Sequence, residues 1–513
     1  MKIKKFAYLR ITGALLAAVI FAVNAPFVVF AKDKPTPDLF INDSFPVLEI
    51  NLDGYHEVDI ERSDWKPMTC RLTEGGKVFE TTAQIKGRGN YTWAQSKRPY
   101  AIKLDEKQSW FGFGSAKDWV LLANYTDETH LRNFYAFTLA SGFGFAFTPK
   151  VRHAQVFING RYIGLYLITE KNEIDDKRLD IDVTKGDVLV ELDNNYGSGE
   201  PDVIVSTMGN VFVIKDPDSE EFKEKAAAAN SSVTFAKAKR FVKTRINNFE
   251  TGLIEGAPLN QLGKYIDIDS LVDWYIFNEI MKNDDSVFNS SIFLNSRYED
   301  KLYMGPVWDY DIALAGIDRF NNLDPSGLEF LENPWERSGN WFIFLAERDD
   351  FVELVKARWR ELYSSTLFAD SMAELDRTYD LLVTQKPYDS DLWNDAGVFV
   401  KKANYAGAVE FLKNFIDSRI EWLNGVWGDE NATPGATPAD PTPAGQTPAD
   451  DPTPGQENSP GPAAEPDKTP DQTGEREGGF NPLFVIVPAA GALAAAGAVV
   501  AAVAAVKRRR RRG

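Results

Sequence analysis

The stretch from Asn283 to Asp311 gathers residue types that could run a reaction together. Asn283-Asp284-Asp285-Ser286-Val287-Phe288-Asn289 follows a long apolar segment. A strand-like Ser291-Ile-Phe-Leu comes next, and Gly305-Pro-Val-Trp-Asp309-Tyr310-Asp311 closes the stretch. Phosphoryl transfer needs this inventory: one Asp to orient the attacking hydroxyl and accept its proton, and an Asn with another Asp to hold Mg2+ against the phosphates. Asp284-x-x-x-x-Asn289 has the spacing of the first pair, and Asp309-Tyr310-Asp311 stands where the second acid is needed. Spacing alone leaves plainer readings open. Asp284 and Asp285 could form an Asx-turn after the helix, and Asp309 and Asp311 could cap a turn or bind Ca2+.

A second cluster reads Ile85-Lys86-Gly87-Arg88-Gly89-Asn90, followed by Lys97-Arg98-Pro99-Tyr100-Ala101-Ile102-Lys103-Leu104. A Gly-containing turn between strands lets the backbone approach phosphates closely. Lys103, on the next strand, is placed to reach them. The bland alternative is a solvated Lys on a basic edge strand. No G-x-G-x-x-G occurs here, so an ordinary kinase glycine loop is absent.

Two kinds of element must position these residues. The first half reads as β-rich: Leu48 to Leu52 alternates apolar and polar, and Val188-Leu-Val-Glu-Leu and Val211-Phe-Val-Ile-Lys look like further strands. Val156-Phe-Ile, Asn159-Gly160 and Arg161 to Thr169 form a hairpin signal, with Asn-Gly as a type I′ turn. The second half reads as helical: Ile268 to Ile280 behind an Asp-Ser start, then Phe351 to Tyr363, then Tyr405 to Trp427. In the last, Phe411, Leu412, Phe415, Ile416, Ile420 and Leu423 make one apolar face. The fold expected is α+β and two-lobed, with a cleft between the lobes as the natural site.

The ends carry a different message. Residues 1–31 pair a basic start with an apolar run and a Val29-Phe30-Ala31 end, as a signal peptide does. Residues 32–428 are the folded part, and 429–479, rich in Pro, Thr, Ala and Asp, read as a disordered stalk. Residues 480–506 include an uncharged run long enough to span a bilayer, and the tail 507–513 begins with Lys507 and five Arg. The positive-inside rule puts that tail in the cytoplasm, so the expected protein is a single-pass membrane protein with its folded domain outside. The formal net charge is −18, and ten positive charges sit at the two ends, so the folded part is more acidic still. That balance argues against nucleic acid as a partner. A single cysteine, Cys70, and three histidines exclude an internal disulfide and leave little for zinc.

Taken in order, several segments resemble the CotH kinase family, named for spore coat protein H. They include Lys86-Gly-Arg-Gly-Asn90, Lys97 to Leu104, Trp119 to Asp127, Leu131-Arg-Asn133, Asn159 to Leu167, Thr169-Glu170-Lys171, Asn278-Glu279, Asp284-Asp285 and Gly305 to Asp311. The resemblance spans about Phe45 to Trp427 and implies an atypical protein-kinase-like fold that binds ATP with Mg2+ or Mn2+ and phosphorylates an exported or surface protein. It implies Lys103 and Arg88 at the phosphates, Glu170 and Lys171 at the hinge that meets adenine, Asp284 or Asp285 as catalytic acid, and Asn289, Asp309 and Asp311 as metal ligands. Lys282-Asn283 stands where an ordinary kinase has His-Arg, so the choice between Asp284 and Asp285 stays open. A surface adhesin or scaffold that keeps the fold without chemistry is the alternative. A carbohydrate-active enzyme with paired carboxylates ranks last.

Overall fold

A computed structural model of the protein describes residues 45–194, 202–286, 290–332 and 339–428. The expected signal peptide, stalk, membrane-spanning run and basic tail lie outside the described residues. Among the described residues, no helix is long and apolar enough to cross a membrane.

Seven strands form a closed barrel: β1 (Val47–Leu52), β2 (Lys66–Glu74), β3 (Lys77–Gly87), β4 (Tyr100–Gln108), β5 (Ala116–Leu122), β6 (Val151–Ile158) and β7 (Arg161–Glu170), in the order β1-β2-β3-β4-β5-β7-β6. The β6–β7 hairpin turns at Asn159 and Gly160, whose φ values of 50° and 74° are the paired positive angles a type I′ turn requires. The barrel closes where β1 pairs parallel with β6, Val47 opposite Gln155 and Ile50 opposite Ile158. Alternation along β3 and β4 sends Ala83, Ile85, Tyr100, Ile102 and Leu104 inside, and leaves Lys86, Ala101 and Lys103 on the outer face.

β5 and β7 break that alternation for a physical reason. Trp119, Leu121, Tyr166 and Ile168 fill the barrel, while Val120, Leu165 and Leu167 pack into a second core. Both faces are therefore dry, and the strands read as near-continuous apolar runs. The second core lies against a five-stranded sheet, ordered β12-β11-β8-β10-β9, built from β8 (Val188–Leu192), β9 (Val203–Val205), β10 (Val211–Asp216), β11 (Ile292–Ser296) and β12 (Leu302–Met304). The helix Ile268–Met281 runs through this core and is buried from Ser270 to its last residue. Asp267 caps it, accepting from the Ser270 amide at 2.9 Å.

The α+β class and the β-rich-then-helical order are as expected. Barrel closure was not anticipated, nor was the return of β11 and β12 from the helical half into a sheet with β8. Both rest on pairings between residues far apart in sequence, and local pattern does not encode them.

The helix Tyr405–Trp427 closes the second core through Arg419. Its guanidinium is fully buried, donates to Glu279 Oε2 at 3.0 Å, and reaches the carbonyls of Glu279, Pro325 and Gly327. Glu279 also accepts from the amides of Glu329 and Phe330. Arg419→Met would strand a buried carboxylate. It should cost about 3–5 kcal/mol, read as a lower urea midpoint.

A second stability test follows from two buried imidazoles. His153 Nε2 donates to the His130 carbonyl at 2.9 Å, and His130 Nε2 lies 3.3 Å from Asp389, beside Lys97. Burial pushes His130 down to about 4 and His153 down to about 3. Unfolded His titrates near ~6.5, so below that pH the unfolded chain binds more protons than the folded one, and acid weakens the fold. The urea midpoint should fall between pH 7.5 and pH 5, and His153→Gln should flatten that fall.

Candidate active site

A cleft of about 950 Å3 opens between the outer face of the barrel and the second sheet. The barrel side carries Lys86 at the end of β3, Arg88 in the glycine-containing turn, and Lys171 just past β7. The opposite side carries Asp285, Asp309 and Asp311, with Glu191 from β8 and Lys215 from β10. Ala101, Val120, Leu122, Phe293, Trp308 and Ile312 supply apolar lining between the two.

The register of β3 against β4 decides which lysine enters. Lys86 stands directly opposite Ala101 at the loop end of the pair, while Lys103 stands opposite Gln84, two residues along. Two residues of strand are about 6.6 Å. Lys103 therefore shares the outer face but is exposed and outside the cleft lining, which corrects the expectation that it meets phosphates. Lys86 lines the cleft instead, its ammonium 4.6 Å from the Trp65 ring centroid. Partial burial, with Lys171 and Lys103 nearby, lowers its pKa.

Glu170 is likewise displaced from its expected role. Its side chain is buried, accepts from the Lys150 amide at 2.9 Å, and lies 3.9 Å from Arg178. It ties β7 to β6 and does not line the cleft. Lys171 does line it, held between Glu173 at 3.3 Å and Asp118 at 3.7 Å.

The two acids after the central helix divide their labour. The helix ends at Met281, and Lys282 turns the chain with a φ of 45°, its ammonium bonded to the carbonyls of Asp324 and Ser326. Asp284 then points inward, fully buried, against Arg319 and the Asn322 amide. Asp285 points into the cleft, with Arg319 3.8 Å away. Of the two acids only Asp285 lines the cleft, and Asp284 anchors the loop 319–322. Asn289 lies outside the described residues.

Asp309 and Asp311 sit on an irregular segment held by side chains. Asn283 donates to the Asp309 carbonyl at 3.0 Å, and the Tyr310 amide donates to Asn133 Oδ1 at 2.8 Å. Arg132, paired with Asp127, reaches the carbonyls of Ala313, Leu314 and Ala315. Asp309 has a φ of 70°, a left-handed conformation that Asp tolerates better than most residues. Arg88 stacks over Trp308 at 5.0 Å and offsets the Asp309 charge. Burial, then the neighbouring Asp309 charge, pushes Asp311 up to about 7, although Thr126 donates to it at 2.7 Å. Asp309 is open to solvent and Asp311 half-buried, and Arg88 offsets only part of their joint charge, a deficit that a divalent cation fits. Among the described residues, no three acidic, His or Cys groups lie close enough to hold a metal ion by themselves.

Residues 85–423 match the family described as CotH kinase protein. The chain belongs to the CotH kinase family. None of the curated proteins matches it. Within this CotH kinase domain, sequence reasoning missed Lys86, Arg319, Lys215 and Glu191 as cleft residues. Lys86 stood in a motif already singled out, and only strand register could promote it over Lys103. Arg319, Lys215 and Glu191 come from segments with no motif of their own.

The split between the paired acids is measurable. Asp284→Asn should cost about 1–3 kcal/mol in urea unfolding, because it breaks charge-assisted bonds to Arg319 and Asn322. Asp285→Asn should leave the urea midpoint within ~0.5 kcal/mol of the parent.

Proposed function

We propose that the cleft binds ATP with Mg2+ or Mn2+ and transfers the γ-phosphoryl group to a Ser or Thr hydroxyl of an exported or surface protein. The observation that carries this is the facing of Lys86, Arg88 and Lys171 across one cleft from Asp285, Asp309 and Asp311. Triphosphate charge suits the first set, and a cation with a proton acceptor suits the second. Asp309 and Asp311 would hold the cation, which supplies charge neutralisation between phosphates and carboxylates. Lys86 and Arg88 hold phosphate oxygens in place. Asp285 orients the acceptor hydroxyl and takes its proton. The hydroxyl oxygen bonds to the γ-phosphorus, the bond from that phosphorus to the β,γ-bridging oxygen breaks, and ADP leaves. Arg319, 3.8 Å from Asp285, would position that carboxylate.

We place this chemistry outside the membrane, with the domain tethered by the apolar run 480–506. An adhesin reading competes with catalysis, and one assay separates them. Purified protein is mixed with labelled ATP and Mg2+ or Mn2+, and self-phosphorylation and transfer to a mixed Ser/Thr acceptor are followed. Asp309→Ala should abolish transfer. Lys86→Ala should lower the rate by about a hundred- to a thousand-fold, and Asp285→Asn by about a hundred- to ten-thousand-fold. Lys103→Ala should stay within a few-fold of the parent. No incorporation, together with no ATP-dependent rise in melting temperature, would overturn the kinase reading in favour of the adhesin.

A further inference from the structure

Of the exposed large apolar side chains among the described residues, Tyr91 and Phe399 are the two that line the cleft. Tyr91 is 54% exposed and Phe399 is 41% exposed. Their ring centroids lie 6.0 Å apart with the planes inclined by 33°. They arrive from distant parts of the chain. Tyr91 follows the Gly87-Arg88-Gly89 turn of the barrel, and Phe399 lies between the helices Lys386–Trp393 and Tyr405–Trp427. Lone exposed apolar residues need no explanation, but two aromatic rings in contact at the rim of a polar cleft leave apolar surface in water where a ligand must pass.

Both rings are held by rigid backbone. Arg62 donates to the Gly89 carbonyl at 2.8 Å and to Asn90 Oδ1 at 2.9 Å, fixing the turn that carries Tyr91. The Lys402 amide donates to Glu128 at 2.8 Å, Lys386 pairs with Asp395 at 2.7 Å, and Gly397 lies so close to the Tyr125 ring that a Cβ there would clash. Those contacts fix the segment that carries Phe399. A preformed aromatic notch loses little conformational entropy on binding. Tyr91 and Phe399 line the same cleft as Asp309 and Asp311, so a side chain held at the two rings lies at the mouth of the proposed phosphotransfer site.

We infer that Tyr91 and Phe399 form the docking notch for the acceptor, an extended polypeptide that carries an aromatic or branched aliphatic side chain at a fixed distance from the Ser or Thr to be modified. This rests on the phosphotransfer reading of the same cleft. A polypeptide fits better than a saccharide because the two touching rings present an apolar step that an apolar side chain covers, whereas a saccharide is covered with hydroxyls that would lose water there.

The test uses the full chain and Tyr91→Ala, Phe399→Ala and double variants. The probe is a panel of fluorescent Ser peptides in which one flanking position at a time is fixed to each amino acid. Binding is read by polarisation, transfer by labelled phosphate, and nucleotide binding by the ATP-induced rise in melting temperature. The wild type should prefer aromatic or branched aliphatic residues at one offset. The double variant should lose that preference and raise KM by about tenfold, as loss of an aromatic anchor does. Its kcat should stay within about twofold, and its ATP-induced shift should match wild type. No flank preference, a preference that survives the double variant, or retention of glycans in place of peptides would overturn the notch. Loss of the ATP-induced shift in the double variant would also overturn it, showing a latch on the glycine turn. Selective peptide binding without any transfer would sink the phosphotransfer reading and leave the notch standing. Transfer without flank preference would do the reverse.

Discussion

The site depends on one constraint: an irregular chain, 305–315, must hold two carboxylates side by side while its own backbone groups are buried. Buried amides and carbonyls outside helices and strands need side-chain partners. Here they find them in Asn133, Asn172, Asn283, Asn295 and Arg132, which reach Tyr310, Val307, Asp309, Gly305 and Ala313 in turn. Arg132 is itself fixed by Asp127, whose carboxyl burial alone would raise; Arg132 and Thr129 hold it below its ordinary value. The partners come from four separate parts of the chain, Arg132 and Asn133 sharing one helix, so the segment is over-determined. That explains how Asp309 keeps a positive φ and how Asp311 stays beside it despite like charge.

The cleft then works by separating charge. Lys86, Arg88 and Lys171 stand on the barrel, and Asp285, Asp309, Asp311 and Glu191, with Lys215, stand on the facing side, with apolar residues between. Neither sign is neutralised internally to completion. Lys171 has acidic neighbours that raise its pKa against the cost of burial, whereas Lys86 has cationic neighbours and falls. Burial raises Glu191, although Lys215 sits 2.7 Å away. A ligand that brings charge of both signs would relieve both imbalances at once.

Much of this was legible in sequence. The Asn159-Gly160 hairpin, the strands at 188–192 and 211–215 and the helix Tyr405–Trp427 all follow from local pattern, because turn chemistry and periodicity act over a few residues. The acidic segment was legible as well, from residue types alone. What escaped was everything set by long-range pairing. Barrel closure through β1 and β6 joins residues about a hundred apart. The exchange of Lys103 for Lys86 turns on the register of one strand pair, which side-chain alternation cannot supply because both lysines share a face. Asp284 and Asp285 differ only in which way a left-handed turn at Lys282 throws them, and no composition rule fixes that.

The position of the cleft follows from the two dry strands. β5 and β7 each serve two cores, so the barrel and the second sheet cannot drift apart without exposing Val120, Leu165 or Leu167 to water. Val120 is also part of the cleft lining, and Lys171 leaves β7 directly into it. The same wall that joins the cores therefore sets the distance between the cationic and acidic sides. Buried clamps reinforce it: Lys97 and Asp389 bridge the barrel to the helix Lys386–Trp393 at 2.6 Å, and Arg419 binds the last helix to the central one. Rigid-body opening of the cleft would break these ion pairs in a dry setting, where an unpaired charge is costly. The rim is tied down as well, the turn before Tyr91 through Arg62 and the Phe399 segment through Glu128, so a ligand meets a preformed cleft whose cationic and acidic sides keep their spacing.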